Sequence, residues 1–458
     1  MSEVLIRTGD LGDQGAIPIH LVDEAGLGAV MASATAQVRG MAQAAKFTGK
    51  ADQLLIAPGE DGKTAAVYVG LVEGAMALRG LPSRLPPGDY ALESAPADPL
   101  QAALAWSLGA YRFDRYKQKR PDPAPRLVVP DGADYDEAVA FCHACALARD
   151  MINSPPNDLG PLQIETIARE IAERHGAVLT VTSGEALASD YPAVHAVGRA
   201  AEDARGPRML ELAWGEGPVV AIVGKGVVFD TGGLDLKPSA GMRLMKKDMG
   251  GAAHALALGR MIMAAKLPVR LVVLVPVAEN SVSGAAMRPS DIIGSRKGLT
   301  IEVGNTDAEG RLILADALTR AAELSPELTI DMATLTGAAR VALGPQVIPF
   351  YTDDDALAAE LAEASLATAD PLWRMPLWAP YADALDSDVA DIQNDPAAWA
   401  QAGSVTAALF LKRFAPEGSW VHLDIFAWNP KSRAGHPVGA EVQAIRALYA
   451  LIKGRYAA

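Results

Sequence analysis

Four carboxylates, two lysines and an arginine stand where a fold could gather them into one reactive centre. Asp230 follows the apolar run Val227-Val228-Phe229 and precedes the sharp turn Thr231-Gly232-Gly233. Asp248 stands just before Met249-Gly250-Gly251, and Asp307 and Glu309 lie inside Asn305-Thr306-Asp307-Ala308-Glu309-Gly310-Arg311-Leu312. Lys225 ends an apolar stretch in a Gly-Lys-Gly turn, Lys237 follows Asp230 by one loop, and Arg311 opens the next helical run. Carboxylates crowded together repel one another and lose hydration, so the arrangement is tolerable only if cations compensate. A pair of divalent ions would do so, with oxygen ligands and no histidine. Two ions sharing carboxylate ligands are suited to hydrolysis.

Each feature alone has a plainer reading. Asp307 and Glu309 are two apart, and in an extended segment they project to the same side. They would serve equally well as caps of the helix starting near Arg311. Lys225 by itself is an ordinary lysine in a glycine turn. None of the seven histidines falls inside these motifs as an obvious base; His254 is nearest, and it reads as a packing or supporting residue on the following helix. Cys142-His143-Ala144-Cys145 lies within a helical stretch, with no second pair to complete a zinc site. The glycines around Lys225 and at Gly250-Gly251 lack the Gly-Lys-Ser/Thr ending of a phosphate loop.

The elements that must position these residues alternate. Pro218–Gly224, Val269–Val277, Leu299–Val303 and Leu328–Met332 read as strands. Ile164–His175, Gly250–Ala265 and Arg311–Leu324 read as helices. Unbroken apolar strands between helices predict an α/β domain with a mainly parallel sheet flanked by helices, whose ligands bind at the carboxyl ends of the strands. Upstream, Leu54–Pro58 and Ala65–Gly70 read as strands and Ala102–Ala110 as a helix, giving a smaller N-terminal α/β domain without obvious chemistry. A polar, proline-rich stretch from Lys117 to Pro130 is followed by Tyr135–Asn153, which has helical spacing and ends at Ser154-Pro155-Pro156. The expected organisation is residues 1–130 as the N-terminal domain, 131–157 as a bridging helix and 158–458 as the catalytic domain.

The bulk numbers narrow the function classes. A chain of 458 residues suggests at least two domains, and half of its residues are hydrophobic. The net charge of −14 disfavours nucleic acid as a partner. Two cysteines make no disulfide framework. The N-terminus has no signal-like apolar stretch, and the run Leu271–Ala278 is too short to span a bilayer. The expectation is a cytoplasmic protein with no membrane association.

Lys225-Gly226, Phe229 to Gly233, Asp248 to Ala253 and the Asn305–Leu312 octapeptide together resemble the leucyl (cytosol) aminopeptidases of peptidase family M17. Asn153-Ser154-Pro155-Pro156-Asn157 and Ala333-Thr334-Leu335-Thr336-Gly337-Ala338 extend the resemblance over the chain from about Arg149. The resemblance implies two divalent ions per subunit, drawn from Zn²⁺, Mn²⁺, Mg²⁺ or Co²⁺. One would be held by Asp230, Asp307 and Glu309, and the other by Lys225, Asp230, Asp248 and Glu309. It implies attack by a metal-bridging water, Lys237 as the electrophile at the scissile carbonyl, and a bicarbonate on Arg311 as the base. Met245, Thr334 and Gly337 match positions lining the pocket for the first side chain. Peptides with a free N-terminus are the implied substrates, and a homohexamer the implied assembly. The chain departs from the family's usual His-Leu-Asp-Ile-Ala-Gly: here His422-Leu423-Asp424-Ile425 continues as Phe426-Ala427, so Phe426 is expected to alter selectivity for the first residue. A two-metal phosphoesterase and a non-enzymatic DNA-binding role are the competing readings. Activity on amino-acid anilides but not aryl phosphates separates the first, and a salt-dependent gel shift would revive the second.

Overall fold

The computed structural model describes residues 4–13, 15–119, 121–396, 399 and 401–457. The chain divides into two compact units, one running to Ala146 and including Lys431–Pro437, the other comprising Leu147–Pro430 and the chain from Val438 onward. The division falls inside the Tyr135–Asn153 helix.

The first unit is built on six strands: β1 (Leu5–Ile6), β2 (Ile17–Val22), β3 (Leu54–Pro58), β4 (Thr64–Gly70), β5 (Asp89–Leu92) and β6 (Arg126–Val128). Their order is β1-β6-β5-β2-β4-β3, parallel except for the β3–β4 pair. The Pro99–Ala110 helix is buried from Gln101 onward, and its Trp106 joins Ile19, Val67, Tyr90 and Leu127 in one core. This helix starts three residues before the expected Ala102, because Asp98 accepts the Gln101 N–H at 3.0 Å and Pro99 occupies the first turn.

The second unit carries a nine-stranded sheet. Its strands are β7 (Val178–Ser183), β8 (Arg208–Trp214), β9 (Val219–Gly224), β10 (Gly226–Asp230), β11 (Arg270–Asn280), β14 (Leu328–Ala333), β15 (Ile348–Tyr351), β16 (Leu372–Arg374) and β18 (Ser419–Asp424). The centre, β18-β14-β9-β11, is parallel, and β10 also runs parallel to β11. Antiparallel pairings join β15 to β18 on one side, and β8 to β11 and β7 to β8 on the other. Val220 to Val223 are fully buried, as expected of a strand covered on both faces. The mainly parallel α/β architecture predicted from the alternating pattern is the one observed, with the antiparallel flanks added.

One expected strand belongs elsewhere. Thr300–Glu302 (β13), within the predicted Leu299–Val303, lies in a separate three-stranded sheet between β12 (Ile292–Gly294) and β17 (Ile392–Gln393). The parallel pairing of β13 with β17 matches Glu302 to Gln393 and so brings Asn394 beside the loop that follows β13.

Glycines set how closely the helix after Asp248 sits on the sheet. A Cβ on Gly251 would lie 2.1 Å from the Met332 carbonyl oxygen and 2.6 Å from Lys225 N. The Gly250–Ala264 helix therefore starts almost in backbone contact with the ends of β9 and β14. The Glu309–Ala322 helix is anchored from its middle: the buried Asp316 carboxylate accepts N–H groups of Ala193, Val194 and Arg296 at 2.7–3.2 Å. Among the described residues, no helix is long and apolar enough to cross a membrane.

Candidate metal centre

The chemistry-bearing residues leave the carboxyl ends of neighbouring strands. Lys225 follows β9, Asp230 ends β10, Asn280 ends β11, Thr334 follows β14 and Asp424 ends β18. Asp307 and Glu309 arrive from the loop after β13. Their convergence differs from the extended geometry expected of them. Thr306 and Asp307 form a turn, and Glu309 is the first residue of the Glu309–Ala322 helix. The turn, not strand alternation, aims both carboxylates inward.

One oxygen each from Asp230, Asp307 and Glu309 lies within 4.8 Å of the others. Lys225 Nζ sits between Asp248 Oδ2 and Glu309 Oε1, 2.8 Å from each, and donates to the Thr334 carbonyl at 3.1 Å. Lys237 Nζ is 2.7 Å from Asp230 Oδ2 and also pairs with Asp307 Oδ1. Asp248 and Glu309 thus join the same cluster through Lys225. Asp248 Oδ2, Asp307 Oδ1 and Glu309 Oε1 are buried and accept no well-angled hydrogen bond, although an ammonium faces each.

The electrostatics point the same way. Burial first, and then the Asp230 carboxylate, pushes Glu309 up to about 8 and Asp307 up to about 6. Burial would lower Lys225, but Asp248, Glu309 and Asp230 outweigh it and hold the amine above its ordinary range. Lys237 is raised by Asp230 and Glu309 against the same penalty. Carboxylates that take up protons so readily are suited to divalent cations in their place. The four carboxylates fit two such ions, and the adjacent Lys225 amine can join the donor set once those cations displace its proton.

Amide and hydroxyl side chains hold this cluster in place, and spacing gave no sign of them. Asn280 Nδ2 donates to Asp230 Oδ1 at 2.8 Å and to the Thr306 carbonyl at 3.1 Å. Thr306 donates its hydroxyl to the Gly232 carbonyl at 2.6 Å, and its N–H to Asp235 at 2.7 Å. Asn394 is fully buried. Its Oδ1 accepts the N–H groups of Gly304 and Asn305, and its Nδ2 donates to the carbonyls of Asn305 and Ala308. Its own carbonyl accepts Arg311 Nη1 at 2.6 Å.

Arg311 is buried, and its Nε has no acceptor among the described residues. His254 is fully buried, and burial pulls it down to about 4, so it stays neutral. It pairs through Nδ1 with the Gly250 carbonyl and accepts the Gln443 N–H at Nε2. Gln443 in turn accepts the N–H groups of Phe426 and Ala427. The supporting role expected of His254 is the one its contacts describe. Cys142 and Cys145 are buried in the Tyr135–Asn153 helix.

A cavity of about 410 Å³ opens on the cluster. Lys225, Asp230, Lys237, Asp248 and Asp307 form part of its wall, and Met245, Thr334, Gly337 and Phe426 form another part. Arg311 is not among the lining residues. Phe426 is half-buried, and the cationic groups of Lys247 and Arg340 lie 4.9 and 5.1 Å from its ring centre. Burial pulls Lys247 down to about 8. Asp424 holds the Thr334–Gly337 loop by accepting the N–H groups of Leu335 and Thr336 and the Thr336 hydroxyl.

Residues 146–449 match the cytosol aminopeptidase family, catalytic domain, and residues 17–130 match the M17 aminopeptidase N-terminal domain. A probable cytosol aminopeptidase of Syntrophotalea carbinolica is 40% identical over 414 residues, covering 85% of this chain and 82% of that protein. The crystal structure of a cytosol aminopeptidase from Coxiella burnetii superposes with a TM-score of 0.92 at 39% identity, over 99% of both chains. The bottromycin maturation enzyme BotP, solved in complex with Mn, gives 0.86 at 32% identity, over 96% of this chain and 99% of that one.

Proposed function

Since the chain belongs to the cytosol aminopeptidase family M17, whose members are metal-dependent, we propose that it cleaves the first residue from peptides with a free N-terminus at a dinuclear centre. The observation that carries this reading is the gathering of four carboxylates, Lys225 and Lys237 beside one cavity. Asp230, Asp307 and Glu309 would hold one ion, and Lys225, Asp230, Asp248 and Glu309 the second. Bound there, Zn²⁺, Mn²⁺, Mg²⁺ or Co²⁺ would acidify water and polarise the peptide carbonyl.

The chain's own residues supply the rest. Lys237, mostly buried and paired with Asp230 and Asp307, would donate to the carbonyl oxygen as negative charge develops. Arg311, with Nη1 fixed by Asn394 and Nε unsatisfied, would hold a bicarbonate and so provide the base that no histidine offers. The Thr334 carbonyl and the Asp248 and Glu309 carboxylates hold the Lys225 amine in place. Assembly as a homohexamer in the cytoplasm belongs to the same reading.

The deciding experiment is hydrolysis of a dipeptide and amino-acid anilide panel by metal-stripped protein reloaded with each ion. Release of the first residue, abolished by N-acetylation, is the expected result. No turnover with any ion at verified occupancy, or turnover of aryl phosphates instead, refutes the proposal.

Phe426 gives a narrower expectation. Its ring stands in the wall beside Met245, Thr334 and Gly337, so Phe426→Ala enlarges that wall. The ratio of kcat/KM for Met- or Leu-anilide over Ala-anilide should rise about tenfold, the scale of one or two methylenes in a pocket. An unchanged ranking of Leu, Ala and Met substrates removes Phe426 from selectivity.

A further inference from the structure

Lys247 closes the short turn Met245–Lys247 and directly precedes Asp248. Only 6% of the residue is exposed. Its ammonium nevertheless has no hydrogen bond or salt bridge among the described residues; it lies over the Phe426 ring, 4.9 Å from the ring centre. A cation on a largely buried side chain, with an aromatic face but no hydrogen-bonding partner beside it, is open to an anionic ligand. The nearby carboxylates are committed elsewhere. Asp248 Oδ2 faces Lys225 and Oδ1 accepts the Thr334 hydroxyl. Asp424 is taken up by Leu335 and Thr336.

Lys247 lines the same cavity as the carboxylate cluster, next to Met245 and Phe426. The exposed Arg340 stands 5.1 Å from the centre of the same Phe426 ring, also in the cavity wall, and its guanidinium has no hydrogen bond or ion pair among the described residues. Two cations lie beside one aromatic ring in the part of the wall that includes Thr334 and Gly337. The ring and Met245 offer apolar surface for methylene groups, and the cations offer partners for a charge at their end.

We propose that this subsite selects peptides whose first residue is acidic, aspartate or glutamate, with Lys247 as the buried partner of the side-chain carboxylate and Arg340 as the exposed one. The proposal rests on the aminopeptidase reading. A charge-assisted bond made inside a cavity is stronger than one on the surface, and a site built around it discriminates against substrates that lack the group.

The test compares Glu-, Asp-, Gln- and Leu-anilides on the metal-loaded full chain. The wild type should turn over Glu or Asp substrates with higher kcat/KM than Gln, the uncharged isostere, and free L-glutamate should inhibit more strongly than L-leucine. Lys247→Met should lower the Glu/Leu ratio of kcat/KM about 100-fold, and Lys247→Arg should restore part of it. Lys247→Met should leave Tm unchanged or raise it, because it removes a charge with no hydrogen-bonding partner from a largely buried side chain; a lysine with only a structural role would give a lower Tm and an unmoved ratio. Turnover of Leu and Gln substrates with none of Glu or Asp overturns this inference and leaves the aminopeptidase reading standing. An unmoved Glu/Leu ratio in Lys247→Met overturns it as well. Absence of turnover on every anilide overturns both.

Discussion

Asp230→Asn is expected to lower kcat/KM for an amino-acid anilide by at least about 10³-fold, the scale for losing a shared ligand of a hydrolytic centre. The substitution isolates one oxygen. Asp230 Oδ1 accepts the Gly232 N–H and Asn280 Nδ2, both at 2.8 Å, and an asparagine oxygen can retain those bonds. The change falls on Oδ2, which faces Lys237 at 2.7 Å and would become an amide NH₂. It would then present hydrogens to an ammonium, and to any cation bound between Asp307 and Glu309.

The metal-free protein should tolerate the change. After burial, Asp230 is the group that most raises the affinities of Asp307 and Glu309 for protons. Removing its charge relieves repulsion within a crowded cluster. The difference should therefore appear on adding metal. Wild-type protein at roughly 1,000 times Kd gains about 4 kcal/mol of stability from one site, and Asp230→Asn should lose most of that gain at both sites. Thermal melts with and without Mn²⁺ or Zn²⁺, alongside elemental analysis, give the answer. Wild-type metal content together with wild-type turnover in Asp230→Asn would remove Asp230 from the centre. In the wild type, binding displaces protons from Glu309 and Asp307, so metal affinity should fall as the pH is lowered through the range where these carboxyls protonate.

The sequence revealed these carboxylates for a reason that also explains what it concealed. Asp230, Asp248, Asp307 and Glu309 are charged residues at the ends of apolar runs, and the alternation of those runs places their ends on one side of a sheet. Such residues stand out because burial of charge needs a reason. Asn280 and Asn394 are buried too, but an amide in a loop is unremarkable in a sequence. Asn394 acts on residues 86–90 positions away through the β13–β17 pairing, and two- or three-residue strands leave no periodic signature. Asp424 likewise holds the Thr334–Gly337 loop from 88–89 positions away, and Gln443 steadies Phe426 from 17 positions away. The Asp307–Glu309 spacing suggested convergence through extended backbone, whereas a turn and a helix start produce it. Residue types identified the chemistry; the local geometry depended on contacts distant in the chain. Pro99 shows the opposite case, since Asp98-Pro99 is a legible helix start that apolar periodicity alone placed three residues late.

Gly310→Ala should produce the second large effect, and it tests Lys225 without altering any ligand. A Cβ at Gly310 would stand 2.6 Å from both Cε and Nζ of Lys225 and 2.9 Å from its Cδ. These atoms are the far end of a flexible side chain, so the fold can survive by moving them. Gly251→Ala has no such outlet, because its Cβ would meet the Met332 carbonyl oxygen and Lys225 backbone nitrogen. In Gly310→Ala the amine must leave its place between Asp248 and Glu309. Alanine also favours the Glu309–Ala322 helix by up to about 1 kcal/mol over glycine, which offsets the disturbance in the metal-free protein. The expected combination is near-normal thermal stability without metal, a loss of about 10²-fold or more in kcat, and a metal content falling from two ions toward one. The retained ion should be the one held by Asp230, Asp307 and Glu309, because Lys225 is proposed to serve only the other. Two tightly held ions and an unchanged rate in Gly310→Ala would show that the Lys225 amine takes no part in the centre, however closely it approaches Asp248 and Glu309.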